Sequence, residues 1–505
     1  ATSVMGNYTF KLTFEQYSVI LVCMAFFFTF LRLHEVKVTE KRVFHIAGFI
    51  VVALGCGLFT NQIILSDFME EHQINIRMFR PMESYQKYGG VLTFARSVGY
   101  AVVKKPEGYT TAKVDQIIQE YEKKSANEQQ STAKQYPNII TVVNETFADI
   151  KVLGDFKTNE DYMPYFHSLK KNCVTGYTYA SIVGGQTANT EFELLTGNTL
   201  GFLSAGTTAF QLYIHGQMPS LVSNLKAEGY SGNKAMHPFN PYNYNRPAVY
   251  KDFGFTDFID KFDFPKNVKR VREYISDEAN VDRIISEYEK NRKKTDQPFY
   301  MYNMTIQNHS PYDKDAANFK QPIKIESSKY DAEANRYLNL IKYSDDSLKQ
   351  LTSYFEKCKE PTIILFLGDH QPRLTDEFMN KITNGQYQTW SSEQMMKRYQ
   401  VPFVIWANYD IKEQHIEKTS MNYIQSILTK TAGVKMTGYQ RFLNEVRKEV
   451  PTITSQGYWG KNGKFYQIND KGSPYYGIIQ KYRMIQYNMM FDKKNRRDSF
   501  FEVSK

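Results

Sequence analysis

The 505-residue sequence predicts an α/β fold built on a largely parallel sheet. Two observations carry this. From residue 137 onward, apolar runs of strand length recur at 138–143 (NIITVV), 299–306 (FYMYNMTI), 362–367 (TIILFL) and 401–406 (VPFVIW), and they are continuous rather than alternating. Parallel strands covered on both faces read this way. Helical stretches separate the runs, the pattern that crossover connections impose.

Before the sheet, residues 17–31 (YSVILVCMAFFFTFL) and 43–60 (VFHIAGFIVVALGCGLFT) contain no Asp, Glu, Lys or Arg. Each approaches bilayer-spanning length, so residues 1–65 are expected to hold two transmembrane helices. Two such runs and no small-residue cleavage pattern argue against a cleaved signal peptide. The intervening segment 32–42 carries four basic residues and is expected on the cytoplasmic side, which places everything after residue 65 outside the cell. An external start, with Ala rather than Met at position 1, leads us to expect further spans ahead of this stretch. Residues 66–135 read as a connector lying on the membrane surface, followed by a charged lead-in helix with Val114, Ile117, Ile118 and Tyr121 on one face. Residues 136–450 form the expected catalytic domain and 451–505 its carboxyl-terminal part.

The residues just after each apolar run carry the chemistry. The first run ends in Asn144-Glu145, the second in Gln307-Asn308-His309 and the third in Gly368-Asp369-His370. A shorter apolar piece, 179–183, leads into Gly184-Gly185-Gln186-Thr187 and then a helix-forming run. Glycines permit a tight turn, and the helix start behind Thr187 would present N–H groups to an anion. Open α/β sheets bind ligands at the carboxyl ends of their strands, so these residues are expected to meet at one edge. Glu145, Asp369, His370 and the Thr187 oxygen make a set of three oxygens and one imidazole nitrogen, suited to Mn²⁺ or Mg²⁺ and compatible with Zn²⁺. A divalent ion there would activate Thr187 as a nucleophile toward phosphorus, leaving His309 to donate to a phosphoryl oxygen or a leaving group. Singly, each residue has an ordinary alternative: Thr187 as a helix cap, Glu145 and Asp369 as caps at strand-to-helix turns, and the histidines as core residues.

Composition narrows the class. With 42% hydrophobic and 23% charged residues the chain is globular, and a formal charge of +10 suits work beside anionic lipid headgroups. No zinc-finger, RNP or arginine-rich pattern supports nucleic acid as a partner. The four cysteines form no C-x-x-C pair, so a thiolate metal site is not expected, and a Cys173–Cys358 bridge stays open.

The string GGQTANTEFELLTGN at 184–198 resembles the nucleophile motif of the lipoteichoic acid synthase-like family, membrane phosphoglycerol transferases of the alkaline phosphatase and sulfatase superfamily. The resemblance extends, in order, to NE at 144–145, QNHSPY at 307–312 and GDH at 368–370, and with the apolar spans it covers nearly the whole chain. It implies a sulfatase-like mixed sheet flanked by helices. It implies Glu145, Thr187, Asp369 and His370 as metal ligands, with Thr187 also the nucleophile, and His309 as a catalytic or substrate-contacting histidine. Segment 237–246 is similar to the family's glycerol-phosphate-binding segment, with His237 and Arg246 matching and Arg246 suited to gripping a phosphate through two N–H donors. Phe239 and Tyr244 depart from it, standing where lipoteichoic acid synthases have aspartate and tryptophan. The tail from 405–411 (IWANYDI) to 486–492 (QYNMMFD) looks like the branch that decorates wall polysaccharides, or else forms a structural cap. No C-x-P-x-R or S-x-P-x-R motif occurs, which disfavours a formylglycine sulfatase. The implied reaction moves glycerol phosphate from phosphatidylglycerol to a cell-wall polysaccharide or teichoic acid chain. The rivals are a phosphoethanolamine transferase and a non-catalytic wall-polymer-binding module.

Overall fold

The computed structural model describes residues 42–65, 81–100, 103–125 and 135–503, together with residues 24–25, 28–29, 68–71, 74 and 76. It divides into two units, residues 1–102 and 103–505.

In the first unit a helix spans Arg42–Thr60 and continues as a wider π-helical turn over Asn61–Leu65. Its stretch Ile46–Ile64 is long and apolar enough to cross a membrane, and none of it is buried. Among the described residues it is the one such helix. Of the other expected span, 17–31, only residues 24–25 and 28–29 are described, and of the basic loop after it only Arg42. The connector contributes helices Pro81–Tyr88 and Gly90–Tyr100. The second packs closely on the π-turn, where a Cβ on Gly99 would meet the Ile64 carbonyl oxygen at 3.2 Å. Val91, Phe94 and Val98, spaced to share one face of this helix, are all exposed.

In the second unit the sheet has eight strands: β1 Asn138–Asn144, β2 Cys173–Tyr179, β3 Ser231–His237, β4 Asp257–Asp260, β5 Phe299–Met304, β6 Thr362–Gly368, β7 Gln400–Ala407 and β8 Gln414–Ser420. Their order is β8-β2-β7-β6-β1-β5-β3-β4. The expected strands 138–143, 299–306 and 362–367 are the central trio, with β1 in parallel register between β5 and β6. Strand β1 shows why these runs are unbroken: Ile139 and Val143 enter one core while Ile140 and Val142 enter the other. Helices Thr187–Thr196, Met421–Thr431 and Tyr476–Met490 cover the first face, and Asp277–Arg292 and Ala332–Phe355 cover the second.

The run at 401–406 does not obey the parallel expectation. It lies in β7, which is antiparallel to both β2 and β6. The segment between β6 and β7 stays at the edge where β6 ends, so the chain has no way to re-enter the sheet except backwards. A continuous apolar run reports two-sided burial, not direction. Four strands, β2, β3, β4 and β8, carry no such run because they lie at or beside the margins of the sheet, where polar side chains reach water. The lead-in helix, Thr111–Ser125, belongs to the second unit and sets Tyr121 edge-on against Phe442 at 4.6 Å. Cys173 and Cys358 are both free thiols, so the bridge left open by the sequence is not formed.

Gly368, the last residue of β6, brings Asp369 to the edge through a near approach to the next turn. A Cβ there would lie 1.8 Å from the Phe147 carbonyl oxygen. Gly368→Ala is therefore expected to destabilise the catalytic unit by about 2 kcal/mol or more, read as a lowered urea midpoint for the full chain in detergent.

Candidate active site

Two strand ends build the acidic cluster. β1 delivers Glu145, and β6 delivers Asp369 and His370, all buried. One ligand atom from each lies within 4.8 Å of the others. His370 Nε2 stands 3.2 Å from Asp369 Oδ2 and 3.8 Å from Glu145 Oε1. The ring's Nδ1 faces the Gln371 carbonyl at 3.0 Å, which turns Nε2 toward the two carboxyl groups. Asp369 Oδ1 accepts from the backbone N–H of Thr146 at 2.6 Å and of His370 at 2.8 Å, while Asp369 Oδ2 and His370 Nε2 are buried with no hydrogen-bond partner. Buried polar atoms are ordinarily paired, so two unpartnered atoms facing each other mark a place where a cation could sit. The residues fit a hard divalent ion, which Glu145, Asp369, His370 and the Thr187 oxygen would hold. Burial, and next the charge of Asp369, push the Glu145 carboxyl up from 4.5 to about 8.

Thr187 reaches the cluster through a turn that few sequences can make. Gly184, Gly185 and Gln186 all have positive φ (67°, 138° and 67°), after which Thr187 opens the helix Thr187–Thr196. Gln186, not Thr187, is the residue before the helix, so the threonine hydroxyl is not used as a cap. It faces Glu145 Oε2 at 3.5 Å instead. The turn is tied to the β6 loop by Gly184 N–H donating to the Gln371 carbonyl at 2.9 Å, and the helix by Thr190 Oγ1 donating to the Asp369 carbonyl at 2.8 Å. At its far end the tail segment 486–492 acts as structural support. Gln486 pairs with both backbone groups of Thr199, at 2.8 and 2.9 Å, and Tyr482 donates to the Gly197 carbonyl at 2.6 Å.

Arg246 is placed differently from the expectation of a freely gripping fork. Its side chain is buried, and Nε and Nη2 both donate to Glu191 Oε1, at 3.0 and 2.7 Å. Nη1 makes only a long contact, 3.5 Å, to the Asn243 carbonyl. Glu191 lies one helical turn after Thr187, and its other oxygen accepts from Tyr250 and, at 3.1 Å, from Tyr302. Sequence reasoning passes over Glu191, although its i+4 spacing from Thr187 places it on the same face. His237 is buried, with Nδ1 against the Met304 carbonyl at 3.0 Å; burial and then Arg246 hold its pKa well below the usual range, so it is neutral. Tyr244 lies under the Arg246 guanidinium at 5.1 Å. Phe239 stacks on His309, centroids 6.2 Å apart and planes 23° apart.

His309 is half-buried, and burial lowers its pKa, leaving a neutral ring. Its Nδ1 lies 2.6 Å from the Ser310 carbonyl and donates there, so Nε2 is the basic atom. Two residues that sequence reasoning misses fix its loop. Arg272 donates to the carbonyls of Gln307, His309 and Pro311 at 2.8, 2.7 and 2.7 Å. Asp277 accepts from Asn144 at 2.7 Å and Ser344 at 2.6 Å, while Asn308 donates to Asn144 at 3.1 Å, joining the ends of β1 and β5 beneath the site.

The family profile described as Sulfatase matches residues 137–434, more than half of the chain. This chain belongs to the sulfatase family. It is 30% identical over 433 residues to a "Putative cyclic beta-1,2-glucan modification protein" of Rhizobium meliloti, an alignment covering 84% of this chain and 65% of that one. The chain thus spans just under two thirds of that relative's length. Among solved structures, the Streptococcus pyogenes phosphoglycerol transferase GacH, in complex with sn-glycerol-1-phosphate, superposes with a TM-score of 0.64 at 20% identity, covering 80% of this chain and all of that one. The lipoteichoic acid synthase LtaP of Listeria monocytogenes gives 0.54 at 20% identity, covering 77% and 98%. These likenesses establish the alkaline phosphatase-like fold for this sulfatase-family chain.

The site's electrostatics set two expected outcomes. Below about pH 8 the Glu145 carboxyl of the metal-free protein carries a proton, and an incoming cation must displace it. Mn²⁺ binding at pH 7 is therefore expected to release close to one proton and to weaken up to about tenfold per pH unit of further acidification, measured by calorimetry in buffers of different ionisation enthalpy. Since the folded pKa lies above the unfolded 4.5, the contribution of this carboxyl to metal-free stability should be full below 4.5 and be lost as pH rises toward 8, with Mn²⁺ offsetting the loss. Separately, Glu191→Gln leaves a buried guanidinium without its charge partner and is expected to cost about 3–5 kcal/mol of unfolding free energy, whereas Glu191→Gln combined with Arg246→Met should recover part of it.

Proposed function

We propose that this chain is a membrane-tethered, extracytoplasmic phosphoglycerol transferase that moves glycerol phosphate from phosphatidylglycerol to a saccharide acceptor through a phospho-threonine intermediate. The observation that carries the reading is the Thr187 hydroxyl, released from helix capping and turned toward a buried Glu145–Asp369–His370 cluster with two unpartnered atoms. Mn²⁺ or Mg²⁺ bound there would lower the hydroxyl's pKa and neutralise phosphate charge. Thr187, entering as its anion, attacks phosphorus at the mouth of the helix, where N–H groups favour the added negative charge. His309, protonated as the anionic lipid raises its pKa, gives its proton to the departing diacylglycerol oxygen. In the second half the neutral ring takes the proton of the acceptor hydroxyl as that oxygen attacks phosphorus and Thr187 leaves.

Several features support the reading without deciding its substrates. Arg246, clamped by Glu191, keeps a positive charge beside the nucleophile's helix. A helix fit to cross a membrane precedes the catalytic unit, and the exposed Val91, Phe94 and Val98 give the connector an apolar stripe of the kind that lies on lipid. The relative whose printed name concerns a glucan, and the neighbour whose title concerns phosphoglycerol transfer, favour a saccharide acceptor and a glycerophosphate donor.

The deciding experiment is intact mass of the full chain after incubation with Mn²⁺ and either phosphatidylglycerol or phosphatidylethanolamine, beside Thr187→Ala. A glycerophosphoryl adduct absent from the variant is expected. A phosphoethanolamine adduct would move the chain to that class of transferase, and no adduct despite measured metal binding would sink the enzyme reading.

A further inference from the structure

We propose that the aromatic surface beside His309, formed by Phe239, Tyr274 and Phe262 around Lys261, is the acceptor subsite and that it takes the face of a neutral pyranose ring. The inference rests on the transferase reading and adds to it the place and chemistry of acceptor recognition.

The surface is built from three separate segments that converge on the reacting edge. Phe239 stacks on His309 at 6.2 Å, and Tyr274 meets Phe239 at 6.0 Å and His309 at 5.7 Å. Lys261 extends the group outward, its ammonium lying 5.9 Å from the Phe239 ring and 4.9 Å from that of Phe262. A ligand seated here therefore lies next to the histidine that would take its proton.

The rings are held rather than left loose. Phe262 is 74% exposed, yet its backbone is fixed by a short turn in which the Asp260 carboxylate accepts the Phe262 N–H at 2.7 Å. Tyr274 sits on a hairpin pairing Arg270–Val271 with Tyr274–Ile275. Arg272 in that hairpin, at φ 54°, bolts it to the His309 loop through the carbonyls of Gln307, His309 and Pro311. A single exposed phenylalanine is ordinary, but one continuous with a pre-ordered aromatic cluster at a reaction edge marks a binding face.

The chemistry of the rim chooses the occupant. An acyl chain would need unbroken apolar cover, whereas this surface interleaves its rings with Lys261 and the exposed carboxylates of Asp263 and Glu273. A pyranose matches that mixture, with an apolar C–H face to lie on a ring and a rim of hydroxyls to meet the charged groups. Its neutral character is set by the mixed signs, which would repel part of any strongly charged polymer.

The test uses the full chain in nanodiscs and a neutral β-linked gluco-oligosaccharide as probe, with binding read by saturation-transfer NMR and titration. Saturable binding is expected in the wild type and equally in Thr187→Ala, with affinity at least about fivefold weaker in Phe262→Ala and in Tyr274→Ala. Phe262 is exposed, so its variant should fold, and an unchanged thermal transition would confirm that. Absence of binding, or equal affinity in both aromatic variants, would overturn the subsite. So would quenching of a fluorophore at position 262 by nitroxide-labelled lipid, which would make the surface a lipid contact. The two readings fail separately: a threonine adduct without saccharide binding removes the subsite alone, and saccharide binding without an adduct removes the transferase alone.

Discussion

Two carboxyl groups and an imidazole are crowded into one buried space, and the architecture of the second unit is organised to hold them there. The sheet supplies the stiffness. Glu145 and Asp369 leave adjacent parallel strands at the same level, so neither can retreat without breaking the register that pairs Asn144 with Gly368. Backbone N–H groups hold one oxygen of Asp369, leaving the second to point inward. A divalent ion placed there would offset the cost of burying these groups, and its binding strength would draw on that relief.

Much of this is legible in the sequence, for a physical reason. Central strands buried on both faces leave continuous apolar runs, and the residues just after them sit at the ligand-binding edge by topology alone. Glu145, Asp369, His370 and Thr187 can all be read on that basis. The direction of β7 cannot, because burial carries no sign. Nor can the strands β2, β3, β4 and β8, because margins of a sheet lack a hydrophobic signature. Pairings between distant segments are also hidden. Glu191 reads as one more charged residue on a helix, and nothing local announces that it meets Arg246 across 55 positions of chain. The same holds for Arg272 and Asp277, whose partners are carbonyls and amides, groups that every sequence has.

The site also separates what must be constant from what can vary. Glu191 ties Arg246 to the helix that carries Thr187, so the guanidinium and the threonine are parts of one piece. Phe239 and Tyr274 belong to loops on the other side of His309, held by Arg272 and by turns of their own. Changes in those rings alter the wall of the site without moving its reacting atoms.

The support that Gln486 and Tyr482 give to the loop after the Thr187 helix spans 287 and 285 positions of sequence. Contacts that far apart form late, since the intervening chain must first be brought together. In a chain made from its amino-terminal end, the helix bearing Thr187 stays incompletely braced until residues near 490 have been added. Completion of the Thr187 turn is thereby tied to completion of the chain, because its last brace comes from the helix Tyr476–Met490.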